Sequence, residues 1–344
     1  MPGFKRLARH LRPEQTVPRE SRGFLEAMVD DGRPLVSLTG VCLALSGAFA
    51  LFQSATGHFL PHDTEFLQMA AQDLCRINEC RIVHFMFHDR VSFGGSLIAI
   101  AVLYLWMAAF PLKAGDAWAW WALCVSGVVG FGSFLTYLGY GYLDTWHGAA
   151  TLALLPCFIA GLWMSRRLVL TKAASSGDNA SWRSLLRASA ETHWRSSAGV
   201  GRMCLLMAAI GMLGAGFTIQ AIGTTRVFVP TDLTFMGLKR EQLESINPRL
   251  IPLIARDRAG FGGAVATAGL LLFACVWYGA PSRSLWQALL IGGIAGWGTA
   301  IGIHPLIGYN DAGHLAPAVT GALLFFVGLA LTRSSMCGAA HAAN

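Results

Sequence analysis

Three spacings in this 344-residue chain could carry chemistry. Asp144 precedes His147, and Asp311 precedes His314, each by three residues. On a helix such pairs share a face, so the carboxylate can orient the imidazole or both can ligate one metal. His84 and His88 stand four apart, which puts two imidazoles on one helix face in a geometry common to zinc, copper and iron sites. With His62 from the same segment they are the expected ligands of a transition metal, the one cofactor the sequence suggests. The third spacing is Asp89-Arg90 and its counterpart Asp257-Arg258. Here Asp89 and Asp257 join Asp144, His147, Asp311 and His314 as candidate catalytic groups. Arg90, Arg258 and Arg256 are candidates for holding an anionic group.

Each of these residues also has a plain structural reading. Asp is a favoured helix N-cap, and an Arg at a membrane boundary can extend its head to the surface. Cys75 and Cys80 close a short loop and are expected to form a disulfide. The Cys-x-x-Cys spacing of a thioredoxin-like redox pair is absent.

The elements that must position these residues are set by composition. Hydrophobic residues make up 54% of the chain and charged residues only 13%, about half the charged share of an ordinary soluble domain. Apolar runs of spanning length, about 20 residues each, occur at 35–57, 91–112, 117–139, 147–165, 203–224, 259–280, 285–303 and 314–332. None has Asp, Glu, Lys or Arg in its interior, which argues against coupled ion transport through an ionisable group at mid-bilayer.

An even number of spans puts both ends of the chain on one side. The segments on that side hold 17 of the 26 Lys and Arg but 8 of the 19 acids. The positive-inside bias therefore predicts cytoplasmic termini in a cytoplasmic (inner) membrane. The net charge of +7 is then a topology signal, and no nucleic-acid partner is expected.

The second half of the chain repeats the first. Phe59-Leu60-Pro61-His62-Asp63 matches Phe228-Val229-Pro230-Thr231-Asp232, and Asn78 matches Asn247. Asp89-Arg90 with Phe93-Gly94-Gly95 matches Asp257-Arg258 with Phe261-Gly262-Gly263. Gly141-Tyr142 with Asp144 and His147 matches Gly308-Tyr309 with Asp311 and His314. The offset stays between 167 and 169 residues, as in a duplication.

The expected fold is all-α: about eight transmembrane helices forming two tandem, parallel four-helix repeats, 35–165 and 203–332. Outer loops fall at 58–90 and 225–258. A tail of 1–34, a linker of 166–202 and a tail of 333–344 are cytoplasmic. The repeated Asp, His and Arg residues then gather on the extracytoplasmic rim.

Phosphate-loop, dinucleotide and nucleophile-elbow motifs are missing. The sequence is read as a metal-assisted or redox membrane enzyme for a lipid-soluble or membrane-surface substrate, with membrane lipid as its surroundings. The alternative is a non-enzymatic binding or assembly subunit, or a permease for a neutral or lipid-like solute, in which the Asp and His residues only cap helices. Convergence of His88, Asp89, Asp144 and His147 would favour the first reading.

Overall fold

A computed structural model describes residues 29–135, 145–176 and 194–338. In chain order the helices are α1 (Arg33–Ala55), α2 (Pro61–Leu67), α3 (Ala71–Cys75), α4 (Arg81–Ala109), α5 (Ala117–Leu135), α6 (Thr145–Ser176), α7 (Ser197–Thr224), α8 (Pro230–Met236), α9 (Arg240–Ile246), α10 (Leu250–Tyr278), α11 (Arg283–Ile307) and α12 (Ala312–Cys337). No strand occurs among the described residues. Eight of the helices (α1, α4, α5, α6, α7, α10, α11 and α12) are long and apolar enough to cross a membrane. Their outward faces carry bare apolar side chains: Val128, Leu152 and Leu306 are 75%, 79% and 81% exposed. A surface of that kind suits lipid rather than water.

The two centrally placed helices, α4 and α10, are buried over most of their length. They touch each other, and each packs on two more long helices: α4 on α1 and α11, α10 on α7 and α5. Paired glycines make these approaches possible, because between helices in lipid it is small side chains that let backbones come close. A Cβ on Gly94 would lie 2.9 Å from the Gly47 carbonyl oxygen of α1, and one on Gly95 would lie 2.6 Å from the Ala295 carbonyl oxygen of α11. On α10, Gly262 is pressed against Gly216 of α7 in the same way, and Gly263 against Ser133 of α5.

Both central helices have 29 residues. At 1.5 Å per residue each is about 43 Å long, beyond the ~30 Å of a hydrocarbon core. The surplus at their N-terminal ends enters a second hydrophobic core with the short helices α2, α3, α8 and α9. Proline opens both α2 and α8, where its missing N–H costs no helical bond. Two asparagines tie the short helices crosswise. Asn247 Nδ2 donates to the Leu67 carbonyl at the end of α2 (2.7 Å), and Asn78 Nδ2 donates to the Met236 carbonyl at the end of α8. The sulfurs of Cys75 and Cys80 are at disulfide-bonding distance, as expected.

The boundaries of α4 and α10 correct the sequence reading. The helices begin at Arg81 and Leu250, not at 91 and 259. Asp89-Arg90 and Asp257-Arg258 therefore lie about 10–13 Å inside them. An Asp can cap only the first turn, where N–H groups lack partners, so Asp89 and Asp257 cap nothing. The interiors are also not free of charge. Polarity that reads as the loop before a span is a continuous helix, because the short helices cover it.

Candidate metal centre

Charged side chains from α2, α4, α8 and α10 meet where the membrane bundle joins the short-helix core. Arg90 Nη2 pairs with Asp63 Oδ2 at 2.8 Å, and its Nε donates to Asp257 Oδ2 at 2.8 Å. Arg258 repeats the arrangement: its Nη1 meets Asp232 Oδ2 at 2.6 Å and its Nε lies 3.2 Å from Asp89 Oδ2. Each arginine thus joins an aspartate on a short helix to an aspartate on the opposite central helix. Arg256 Nη1 adds a longer contact to Asp63 Oδ1 at 3.3 Å. Asp63, Asp89, Asp232, Arg256 and Arg258 are all buried, so the Arg heads do not reach out to a membrane surface. Buried charges persist only when paired, and these are.

Asp63 and Asp232 each occupy the first turn of a short helix. Asp232 is fully engaged: Oδ2 also accepts the Val229 N–H at 2.8 Å, and Oδ1 accepts the Tyr309 hydroxyl at 2.9 Å. Burial holds the Tyr309 phenol above its ordinary pKa, opposed by a hydrogen bond with Thr231 and reinforced by the adjoining Asp232 carboxylate, so it remains a neutral donor. With its one proton committed to Asp232, the phenol oxygen receives the Nδ1–H of His314 at 3.2 Å. That bond fixes the tautomer and leaves His314 Nε2 with its lone pair.

His88 is fixed in the same manner. Its Nδ1 donates to Asp89 Oδ1 at 3.0 Å, and its Nε2 stands 3.1 Å from His304 Nε2. His88, His304 and His314 each offer a ring nitrogen, and the three nitrogens lie within 4.8 Å of one another. Tetrahedral ligands about 2.0–2.1 Å from zinc stand roughly 3.3 Å apart, so the His88–His304 spacing fits two imidazoles on one ion. The orienting partners match the usual support of metal-bound histidines, a carboxylate for one ring and a hydroxyl backed by a carboxylate for another.

His304 comes from the last turn of α11. His314 comes from the first turn of α12, where Asp311 is the N-cap: its Oδ1 accepts the His314 N–H at 2.7 Å.

The expected ligands therefore separate. His88 enters the cluster. His84 faces a different cavity of about 580 Å³, together with Cys75 and Cys80. His62 Nε2 lies 3.6 Å from Asp63 Oδ1. His88 and Asp89 bond to each other, with Arg258 alongside, whereas Asp257 serves Arg90 and Asp311 serves as a cap. Asp144 lies outside the described residues, as does the side chain of His147.

Sequence reasoning passed over Asp63, Asp232, Tyr309 and His304 as site residues. The first three stood in the repeated blocks, in Pro-x-Asp and Gly-Tyr. His304 lies outside those blocks, flanking with His314 the turn that contains Asp311, and only the fold brings it to His88, 216 residues away.

A cavity of about 600 Å³ lies between α1, α4, α5, α6 and α10 on the Arg90 side. Asp89 lines it while bonded to His88, and so stands between cavity and imidazole cluster. Comparison of the chain with protein-family models, curated proteins and solved structures finds no match.

Proposed function

We propose that this protein is a multi-pass membrane enzyme that works through a transition metal held by His88, His304 and His314, on a lipid-soluble substrate. The carrying observation is the convergence of three imidazoles with two of the rings already oriented, one by Asp89 and one by Tyr309 backed by Asp232. A three-imidazole site keeps a coordination position open, and a metal there supplies Lewis-acid activation of a bound oxygen.

The charge balance supports a cation. Four aspartates (Asp63, Asp89, Asp232, Asp257) face three arginines (Arg90, Arg256, Arg258), so the carboxylates outnumber the guanidinium groups by one beside the three imidazoles. The chain's own residues then have distinct tasks. Asp89 and Tyr309 hold the rings, Arg258 holds Asp89 and Asp232, and the short helices keep bulk water from the cluster.

We further infer a duplicated, parallel pair of four-helix units. Supporting it, the Asp63–Arg90–Asp257 and Asp232–Arg258–Asp89 sets use residues 168 or 169 positions apart. The distribution of Lys and Arg then favours cytoplasmic termini and an extracytoplasmic metal centre.

The reciprocal ion pairs between α4 and α10 also favour a second, non-enzymatic reading, in which the polar cluster only locks the helices together. Cobalt loading separates the two. Co²⁺ added to detergent-purified protein should give the visible ligand-field bands of a four-coordinate nitrogen-rich site, and His314→Ala should abolish them. Absence of bands in the wild type, or their survival in His314→Ala, would favour the structural lock.

A further inference from the structure

The 600 Å³ cavity has two kinds of wall. Most of it is apolar, with Phe49, Phe93, Leu97, Ile100, Phe131 and Phe134 among its lining. One end is ionic: Asp63, Asp89, Arg90, Arg256 and Asp257, with His62 beside them. Its volume falls in the range of small-molecule sites, and an apolar wall with a few convergent polar groups is their usual lining. Phe49 is 53% exposed on α1 at the level of the apolar spans, so the cavity wall is continuous with the lipid-facing surface.

We propose that this cavity binds an uncharged amphiphile, one apolar chain with a hydroxyl or carbonyl head, its head at the Asp63–Arg90–Asp257–Arg256 end. This assignment rests on the metal-enzyme reading for what happens next, because Asp89 joins the cavity to His88. The binding itself does not depend on it.

The head class follows from electrostatics. At the ionic end Asp63 and Asp257 are matched by Arg90 and Arg256, and Asp89 is held by Arg258 and His88 and turned toward the imidazole cluster. A carboxylate or phosphate head would add an anion beside two aspartates already paired, and an ammonium head a cation beside two paired arginines. Either would bury an uncompensated charge, which is strongly unfavourable. A hydroxyl or carbonyl can exchange hydrogen bonds with the carboxylates and guanidinium groups and leaves the balance intact. The apolar wall recognises the chain by burial alone.

Full-length protein in phosphatidylcholine vesicles would be photolabelled with hexadecanol carrying a mid-chain diazirine. Hexadecanoic acid and hexadecylamine with the same diazirine serve as charged controls. The expected result is crosslinking at Phe49, Phe131 or Phe134, at least tenfold stronger for the alcohol than for either charged probe. Gly130→Leu, which projects a side chain into the cavity, should remove that labelling while the metal content stays at the wild-type level. Labelling confined to outward residues such as Leu152 or Val128, or equal labelling by all three probes, would overturn the proposal. The metal content of the same samples reports separately on His88, His304 and His314, so failure of the cavity assignment and failure of the metal assignment give different results.

Discussion

The two sides of the buried ion cluster are built alike and completed differently. Around Arg90, Asp63 and Asp257 are joined by Arg256, and the set is neutral. Around Arg258, Asp232 and Asp89 are joined by His88, which occupies the position matching Arg256 in the other half of the sequence. In that set the carboxylates outnumber the guanidinium groups by one. In the first case a guanidinium completes the charge. In the second an imidazole turns its Nε2 toward two further imidazoles. At this helix position Arg256 of one half is replaced by His88 in the other, so a guanidinium stands beside the first pair of aspartates and an imidazole beside the second; under the proposed function the second set takes its cation from outside.

Breaking the arginines should show this asymmetry most strongly. Arg258→Ala leaves Asp89 and Asp232 buried without a cation and should cost about 3–5 kcal/mol of stability, seen as lost folded yield and a lower unfolding temperature in detergent. Arg90→Ala should cost less, because Arg256 still faces Asp63. An equal or larger loss in Arg90→Ala would contradict the comparison.

The next effect concerns ring orientation. Tyr309→Phe removes the hydroxyl between Asp232 and His314 and should weaken metal binding about 10–100-fold, with the fold retained. Competition against a chelator of known affinity measures it. Arg256→Ala removes the long charged hydrogen bond to Asp63 and should cost about 1–3 kcal/mol while metal content is unaffected. The smallest effect is expected from Cys75→Ser with Cys80→Ser. A bridge over so short a loop restrains the unfolded chain less than the ~3 kcal/mol of a 15-residue loop, and the cysteines lie apart from the ion cluster. A few degrees in unfolding temperature should be the whole result.

How much of this was legible beforehand depended on the range over which each signal acts. Eight apolar helices were readable because hydrocarbon imposes a length and a composition on each span. Helix ends at Arg81 and Leu250 were not. Polar residues there read as loop, and only packing of the short helices over α4 and α10 lets charge continue inside a helix. His88 and Asp89 were singled out with Asp144 and His147, whereas His84 was favoured as a ligand by its spacing from His88 together with His62. A spacing of four gives a shared face but not the direction of that face, and His84 turns toward the Cys75–Cys80 loop. Asp63, Asp232 and Tyr309 were visible in the repeat without a role, since an aspartate in a first turn and a tyrosine after a glycine explain themselves locally. His304 required the tertiary fold.

The central claim is that His88, His304 and His314 hold one metal ion. Elemental analysis of purified wild type beside His304→Ala and His84→Ala tests it directly, because His304 belongs to the cluster and His84 does not. The account expects about one transition-metal ion per chain in the wild type and in His84→Ala, and less than a tenth of that in His304→Ala. Metal that persists in His304→Ala, or that is lost in His84→Ala instead, would contradict it.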